Sequence, residues 1–197
     1  MATLRSDEIS ALVNTLDDNA IASLVDWLSE KDDVIRYNAF TLLLERSKIQ
    51  SDVYPYWDIF KAKMKSENSY QRTIGIQLLV ENVRWDTQRN MDSVLPESVA
   101  LLHDEKPITI RQYIKALHVL VCINSEYDDL IASKLMEFDL SSVRETMRKS
   151  IALDMIGVLA AIHKKEPNPD MFNYIGILVS SGDFDAKGKK TIQAMLA

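Results

Sequence analysis

The stretch DDVIRYNAFTLLLERSK, residues 32–48, decides the fold. Its apolar residues recur at the spacing that places side chains on one face of an α-helix. They are Ile35, Ala39, Leu42 and Leu43. Arg36 stands beside the first of them, so this apolar helix begins with a guanidinium. An arrangement this unusual is a useful marker for finding further copies in the chain.

Three more copies follow. ENSYQRTIGIQLLVE, PITIRQYIKALHVLV and ETMRKSIALDMIGVL align with the first segment, and the basic residue falls at Arg36, Arg72, Arg111 and Arg148. The spacings between these arginines are 36, 39 and 37 residues, with apolar or small residues in the same phase after each. A fixed period in the high thirties with one phase of apolar positions is typical of a helical solenoid.

A second set of helices is expected between these copies. Good N-cap residues precede them near Ser51, Asp92, Ser125 and Asn168, and the polar break at residues 17–19 predicts two helices in the leading segment. Five Gly and five Pro are few for an α/β enzyme, which needs Gly at its tight turns. The sequence predicts an all-α fold, an α-α superhelix of about five helix pairs, in one domain over residues 1–197.

The segment DDVIRYNAFTLL resembles the second helix of a HEAT repeat, including the acidic residue ahead of the arginine. The resemblance covers nearly the whole chain, and it implies that the four arginines form a structural ladder with nearby acids, fixing how the repeats stack. The acids ahead of them are Asp32 or Asp33, Glu67, Asp104 or Glu105, and Glu145. Solvated arginines, or a row that binds a ligand, are the alternatives. HEAT repeats serve many roles, so the resemblance implies architecture more than activity.

Charge and targeting signals narrow the class of protein. The net charge of −6 lies wholly in residues 1–58, which hold 5 Lys+Arg against 11 Asp+Glu, and this balance disfavours a nucleic-acid partner. No signal peptide or membrane-spanning run is visible, which indicates a cytoplasmic protein without membrane contact. The single cysteine, Cys122, excludes a disulfide within the chain. Polar ends of the repeat array favour a monomer.

No catalytic, metal or cofactor motif is recognisable. His118 and Cys122 share a helix face at positions i and i+4, but two ligands do not make a metal site, so a packed or rim histidine beside a buried thiol is expected. DFDAKGKKTIQA, from Asp183, imitates a calcium loop, yet Ala194 stands where a bidentate Glu is required. A helix-capping turn is the better interpretation. Trp27 and Trp57 are expected in the core.

The remaining hypothesis is a non-catalytic scaffold or adaptor that binds a protein or peptide on the concave face of its second helices. The candidate contact residues are polar or aromatic positions on those helices: Asn38, Thr41, Glu45, Thr73, Gln77, Glu81, Trp85, Lys115, His118 and Asp154. Trp85 alternatively fills the gap between helix pairs.

Two alternatives remain open. Some HEAT-like proteins are DNA glycosylases for alkylated purines, but Trp85 and Asp86 are adjacent here, whereas that family places a Trp and an Asp about one helical turn apart. A lyase or chaperone-like helper related to the HEAT-repeat phycobilin lyases would need a cofactor pocket, for which the sequence gives no sign.

Overall fold

The computed structural model describes residues 3–181 and 184–197, and these residues form α-helices and short 3-10 helices with no strand among them. This confirms the all-α prediction. Within the described residues no helix is both long and apolar enough to cross a membrane. The α-helices are α1 (Ser6–Val13), α2 (Asp18–Trp27), α3 (Asp33–Ser47), α4 (Trp57–Met64), α5 (Ser69–Glu81), α6 (Met91–Ser98), α7 (Pro107–Ile123), α8 (Asp128–Glu137), α9 (Glu145–Lys165), α10 (Pro169–Ser181) and α11 (Ala186–Leu196).

The chain divides into two compact units, residues 1–98 and 99–197. Helices α1 to α6 belong to the first unit, and α7 to α11 belong to the second. The single domain expected over residues 1–197 remains a prediction.

The four repeated segments are helices α3, α5, α7 and α9, each of which carries its arginine as the fourth or fifth residue. The break before α2 is also confirmed, since the Asp17 side chain caps that helix by accepting from the Ala20 N–H at 2.8 Å. Asp32 caps α3 in the same way, accepting from the N–H groups of Val34 and Ile35 at 2.8 and 3.1 Å. These two bonds favour the ionised carboxylate and lower the pKa of Asp32 below its ordinary value.

Among the N-caps expected for the intervening helices, Asn168 is confirmed, because its side chain accepts from the Met171 N–H at 3.1 Å. Asp185 likewise caps α11 by accepting from the Gly188 N–H at 2.8 Å, as the capping-turn interpretation of this segment requires. Asp183, where the imitation of a calcium loop begins, lies outside the described residues.

The caps expected at Ser51, Asp92 and Ser125 are wrong. A 3-10 turn, Tyr54–Tyr56, separates Ser51 from α4, and Asp92 lies inside α6. Ser125 is the first residue of the 3-10 turn Ser125–Tyr127, which is capped instead by the side chain of the preceding Asn124. Ahead of α6 the capping acceptor is Asp86, whose two carboxylate oxygens accept from the N–H groups of Asn90 and Met91 at 3.0 and 2.8 Å. One carboxylate serves two donors there.

Helices α4 and α5 approach so closely that only a glycine fits between them. A Cβ atom on Gly75 would lie 2.5 Å from the Met64 nitrogen and 2.6 Å from the Phe60 carbonyl oxygen. Both atoms belong to the backbone of α4, so no side-chain rotation can relieve the contact. Gly75 is the residue three positions after the repeated Arg72, where the first copy has Ala39.

Three of the repeated arginines donate to backbone carbonyls of the turn just before their own helix. Arg36 donates to Glu30 O at 2.8 Å, and Arg72 donates to Ser66 O and Glu67 O at 2.8 and 2.7 Å. Arg148 donates to Val143 O and Ser141 O at 2.8 and 2.7 Å. Turn carbonyls at a helix end lack intrahelical partners, so a guanidinium with five donors satisfies them well. These arginines therefore close the turn between the two helices of a pair.

The expected ladder of arginines with the acids ahead of them is accordingly only partly right. Arg36 forms an ion pair with Asp33, one of the two acids expected. Arg111 pairs instead with Asp154 on α9, at 2.7 Å, and so links two of the repeated helices within the second unit. For Arg72 and Arg148 the acceptors described are turn carbonyls. A prediction that pairs opposite charges in the sequence does not consider backbone carbonyls.

A buried arginine joins α3 to the start of the first unit. Arg46 donates from Nε and Nη2 to one oxygen of Asp52, at 3.0 and 2.6 Å, and from Nη1 to the Val13 carbonyl at 2.7 Å. A second carbonyl, Leu16 O, accepts from Nη2 at 3.3 Å. Because both the guanidinium and its acceptors are largely withdrawn from water, losing this arginine leaves several groups unpaired.

Candidate binding groove

Some residues expected on a partner-binding face have accessible surface. Thr41, Glu45, Thr73 and Gln77 are half-buried on α3 and α5, and Lys115 and His118 are exposed on α7. They are divided between the two units, four in the first and two in the second. Their role in binding stays a prediction.

Three of the expected contact residues are occupied inside the protein, and for them the expectation of a free surface position is wrong. Asn38 is buried and accepts from the Leu4 N–H at 3.0 Å, which ties the segment before α1 to α3. Glu81 is buried at the end of α5 and pairs with Arg84. Asp154 is committed to the ion pair with Arg111. The polar side chains at these positions form hydrogen bonds or ion pairs within the chain.

The three tryptophans differ from one another. Trp57 is buried in the core with 6% of its surface exposed, as expected, whereas Trp27 is 44% exposed at the end of α2, so its expected place in the core is wrong. Trp85 is half-buried and donates from Nε1 to the Ser47 carbonyl at 2.7 Å. This bond fastens the end of α5 to the end of α3 and agrees with the alternative in which Trp85 fills the gap between helix pairs.

Asp86, the second residue of the Trp85–Asp86 pair, also serves the local structure. It accepts from the Tyr54 hydroxyl at 2.8 Å in addition to the two backbone bonds that cap α6. Burial and this contact with a carboxylate raise the pKa of Tyr54. The two residues that invite comparison with the DNA glycosylases are thus both engaged in packing and capping.

Cys122 is exposed, so the expected buried thiol is wrong. Across residues 3–181 and 184–197, no three His, Cys, Asp or Glu side chains come close enough together to hold a metal ion.

The first unit contains an open groove of about 780 Å³ where two helix-pair turns lie side by side. One wall is the turn from α2 to α3 with the first turn of α3, and the other is α4 with the first turn of α5. We call it the turn groove. Its lining residues are Ser29, Glu30, Lys31, Asp33, Arg36, Ile59, Ala62, Lys63, Ser66, Asn68, Tyr70 and Gln71.

A polar network centred on Lys63 joins the two walls. The Lys63 ammonium donates to the Ser29 hydroxyl at 2.8 Å and to the Gln71 side-chain oxygen at 2.7 Å. Gln71 in turn donates to the Leu28 carbonyl at the end of α2, at 2.7 Å. Both acceptors of the ammonium are neutral, and burial lowers the pKa of Lys63. The network holds the second helix pair against the first while keeping a cation in the groove.

Apolar and aromatic side chains form the rim. Tyr70 is 67% exposed and Ile59 is 43% exposed, and the Arg36 guanidinium lies 5.5 Å from the centre of the Tyr70 ring. Because Arg36 is also held by Asp33 and the Glu30 carbonyl, the ring has a fixed cation beneath it. A large, exposed and positioned aromatic beside a groove is the kind of residue that anchors a partner.

The chain matches no protein-family model, no curated protein and no solved structure. The groove and its side chains are therefore the basis for assigning a function.

Sequence reasoning singled out two of the lining residues, Arg36 and Asp33, and both for a structural role. Tyr70 carried a usable signal, since a tyrosine beside Asn68 and Ser69 at a helix start points away from the apolar face of α5. Lys63 gave none, because Glu67 stands four residues later and suggests an ordinary helical ion pair. That pairing requires a continuous helix, and α4 ends at Met64.

Proposed function

We propose that this chain is a HEAT-like helical repeat protein, an α-α superhelix of about five helix pairs, that serves as a non-catalytic scaffold for a protein or peptide partner. The recurring arginines support the architecture, because three of them close the turn before their helix in the same way. We expect the protein to act as a cytoplasmic monomer.

The observation that carries the binding role is the turn groove, with Tyr70 and Ile59 exposed at its rim. Large side chains with exposed apolar surface beside a preformed concavity are a typical setting for binding hot spots. These features support a partner that contacts the rim where the turns meet, with the middle of α3 and α5 in a secondary part. Little ordering of the protein is needed, since the walls are already joined by the Lys63 network.

The test is site-specific photo-crosslinking in a lysate, with a benzophenone amino acid at Tyr70 and, as a matched control, at Phe172. Phe172 is an exposed aromatic on α10, outside the groove. The expected result is one protein crosslinked in stoichiometric yield from Tyr70 alone, insensitive to nuclease and lost when Ile59 is changed to Ser. Equal crosslinking from both positions would contradict the proposal. A product that vanishes with nuclease would favour the DNA-binding alternative.

A further inference from the structure

The turn groove contains a cation, Lys63, that forms no ion pair among the described residues. Lys63 has three N–H donors, and its partners among the described residues are the neutral oxygens of Ser29 and Gln71. The lysines two positions before and after it differ, since Lys61 and Lys65 both lie within ion-pair distance of Glu97, at 3.9 and 2.8 Å. The structure thus places Lys63 away from the acid that its neighbours share.

The charge of the groove departs from that of its unit. Residues 1–98 hold 11 Lys+Arg against 16 Asp+Glu, a balance of −5. The lining residues of the groove hold Lys31, Arg36 and Lys63 against Glu30 and Asp33, a balance of +1. Asp33 is engaged by Arg36, which leaves Glu30 as the carboxylate that competes for the cations. An anionic group is therefore repelled less at the groove than the net charge of the unit alone would suggest.

Apolar side chains on either side of Lys63 indicate what carries the anion. Ile59 lies one helical turn before Lys63 on α4, and Tyr70 lies in the first turn of α5; both line the groove. A free inorganic anion would make no use of these two side chains, whereas a polypeptide presents a carboxylate and an apolar side chain within a few ångströms of each other.

We propose that the turn groove binds an acidic peptide segment, in which an Asp or Glu carboxylate accepts from the Lys63 ammonium and a neighbouring apolar side chain packs on Ile59 and Tyr70. This inference rests on the proposed binding function and names the chemistry of its partner. The carboxylate supplies the counter-charge that a half-buried ammonium lacks, and the bond is of the charge-assisted kind. Binding also raises the pKa of Lys63 toward its ordinary value, opposing the effect of burial.

The probe is a library of random twelve-residue peptides displayed on phage and selected on the full chain, followed by anisotropy measurements with the selected peptides as labelled synthetic peptides. The expected result is enrichment of Asp and Glu beside an aromatic or aliphatic residue. Lys63→Met keeps the aliphatic stem and removes the charge, so it should weaken binding by roughly tenfold or more, as expected for a lost charge-assisted bond. Lys65→Met changes the net charge equally and should leave the affinity within about twofold, because it lies with Glu97.

Two further variants keep the test valid if Lys63→Met folds poorly. Lys63→Arg retains the cation and should bind within a few-fold of the wild type. Glu30→Gln removes the competing carboxylate and should strengthen binding by about two- to threefold, the opposite sign. Replacing the peptide's acid by its amide should weaken binding to the wild type and have little effect on binding to Lys63→Met.

The failures are distinguishable. If the selected peptides are weakened by Tyr70→Ala and Ile59→Ser but bind Lys63→Met as well as Lys65→Met, the carboxylate inference is overturned and the binding groove stands. If no peptide is selected, the acidic-peptide inference is overturned and the proposed function is judged by the crosslinking at Tyr70. If selected peptides bind but none of the groove variants affects their binding, both the inference and the proposed function are overturned.

Discussion

Replacing Gly75 by alanine tests whether the backbones of α4 and α5 meet as closely as described. The added Cβ would lie 2.5 and 2.6 Å from two backbone atoms of α4, where ordinary contact begins near 3.4 Å, so α4 must move away by about 0.8 Å. Overpacking of this kind costs about 1–3 kcal/mol and the helix propensity of alanine returns about 1 kcal/mol. Since the clash is between backbones, the upper part of that range applies, and a net loss of about 2 kcal/mol is expected.

Gly176→Ala is the matched control. Gly176 lies in the middle of α10, and a Cβ added there would meet no atom within 4 Å, so only the helix propensity changes. This substitution should stabilise the second unit by about 0.5–1 kcal/mol. The same chemical change therefore has opposite signs at the two glycines.

The distribution of tryptophan makes the assay specific to one unit. All three tryptophans, Trp27, Trp57 and Trp85, lie in residues 1–98, so urea unfolding followed by tryptophan fluorescence reports on the first unit. Far-ultraviolet circular dichroism reports on both. Gly75→Ala should lower the fluorescence midpoint, and Gly176→Ala should raise the dichroism midpoint while leaving the fluorescence midpoint in place. A neutral or stabilising Gly75→Ala would refute the close approach of α4 and α5.

Three other substitutions follow from single contacts. Arg46→Met should destabilise the first unit by about 3–5 kcal/mol in a urea titration, because Asp52 and the Val13 carbonyl lose their donor. Arg89→Met, which removes an exposed ion pair with Asp92, should cost less than about 1 kcal/mol in the same titration. Asp32→Ala should lower the melting temperature at neutral pH, and the difference from the wild type should disappear in acid, because the cap contributes above pH 3.8 and is lost as the pH falls through the lowered pKa of Asp32. Burial lowers the pKa of Lys63 below 10.5, so just below that pH the unfolded chain binds more protons than the folded chain. The free energy of unfolding of the wild type should therefore increase as the pH rises toward 10.5. A Lys63→Met variant that shows the same increase in a fluorescence-monitored urea series would contradict this assignment.

The positions of the repeated helices could be predicted because two periodic signals coincide in them. The apolar residues give the helix face, and Arg36, Arg72, Arg111 and Arg148 give the period, and each arginine does lie near the start of a helix. The acceptors of these arginines could not be predicted. Every residue has a backbone carbonyl, so the sequence does not mark which one accepts from an arginine. A prediction from sequence therefore pairs each guanidinium with a nearby Asp or Glu.

The candidate site was harder to predict than the fold, for two physical reasons. Polar residues on the second helices were expected to face solvent, but Asn38 and Glu81 lie against neighbouring segments and are buried. The turn groove is made by two turns that are distant in sequence, with Ser29 and Lys63 brought together by packing. A single copy of the repeated segment and its turn contributes only one wall of such a groove, so no motif within one copy can predict it.

The arginines that bond to turn carbonyls have a consequence for how such a chain can diversify. Every residue possesses a carbonyl, so the bonds from Arg36 and Arg72 survive whatever side chains occupy the turns. Glu30 and Ser66, whose carbonyls accept these bonds, also line the turn groove. Their backbone carbonyls hold together the two helices of each pair, while the residues themselves line the groove. Substitution at these two positions can therefore change the lining of the groove without removing either bond between the helices.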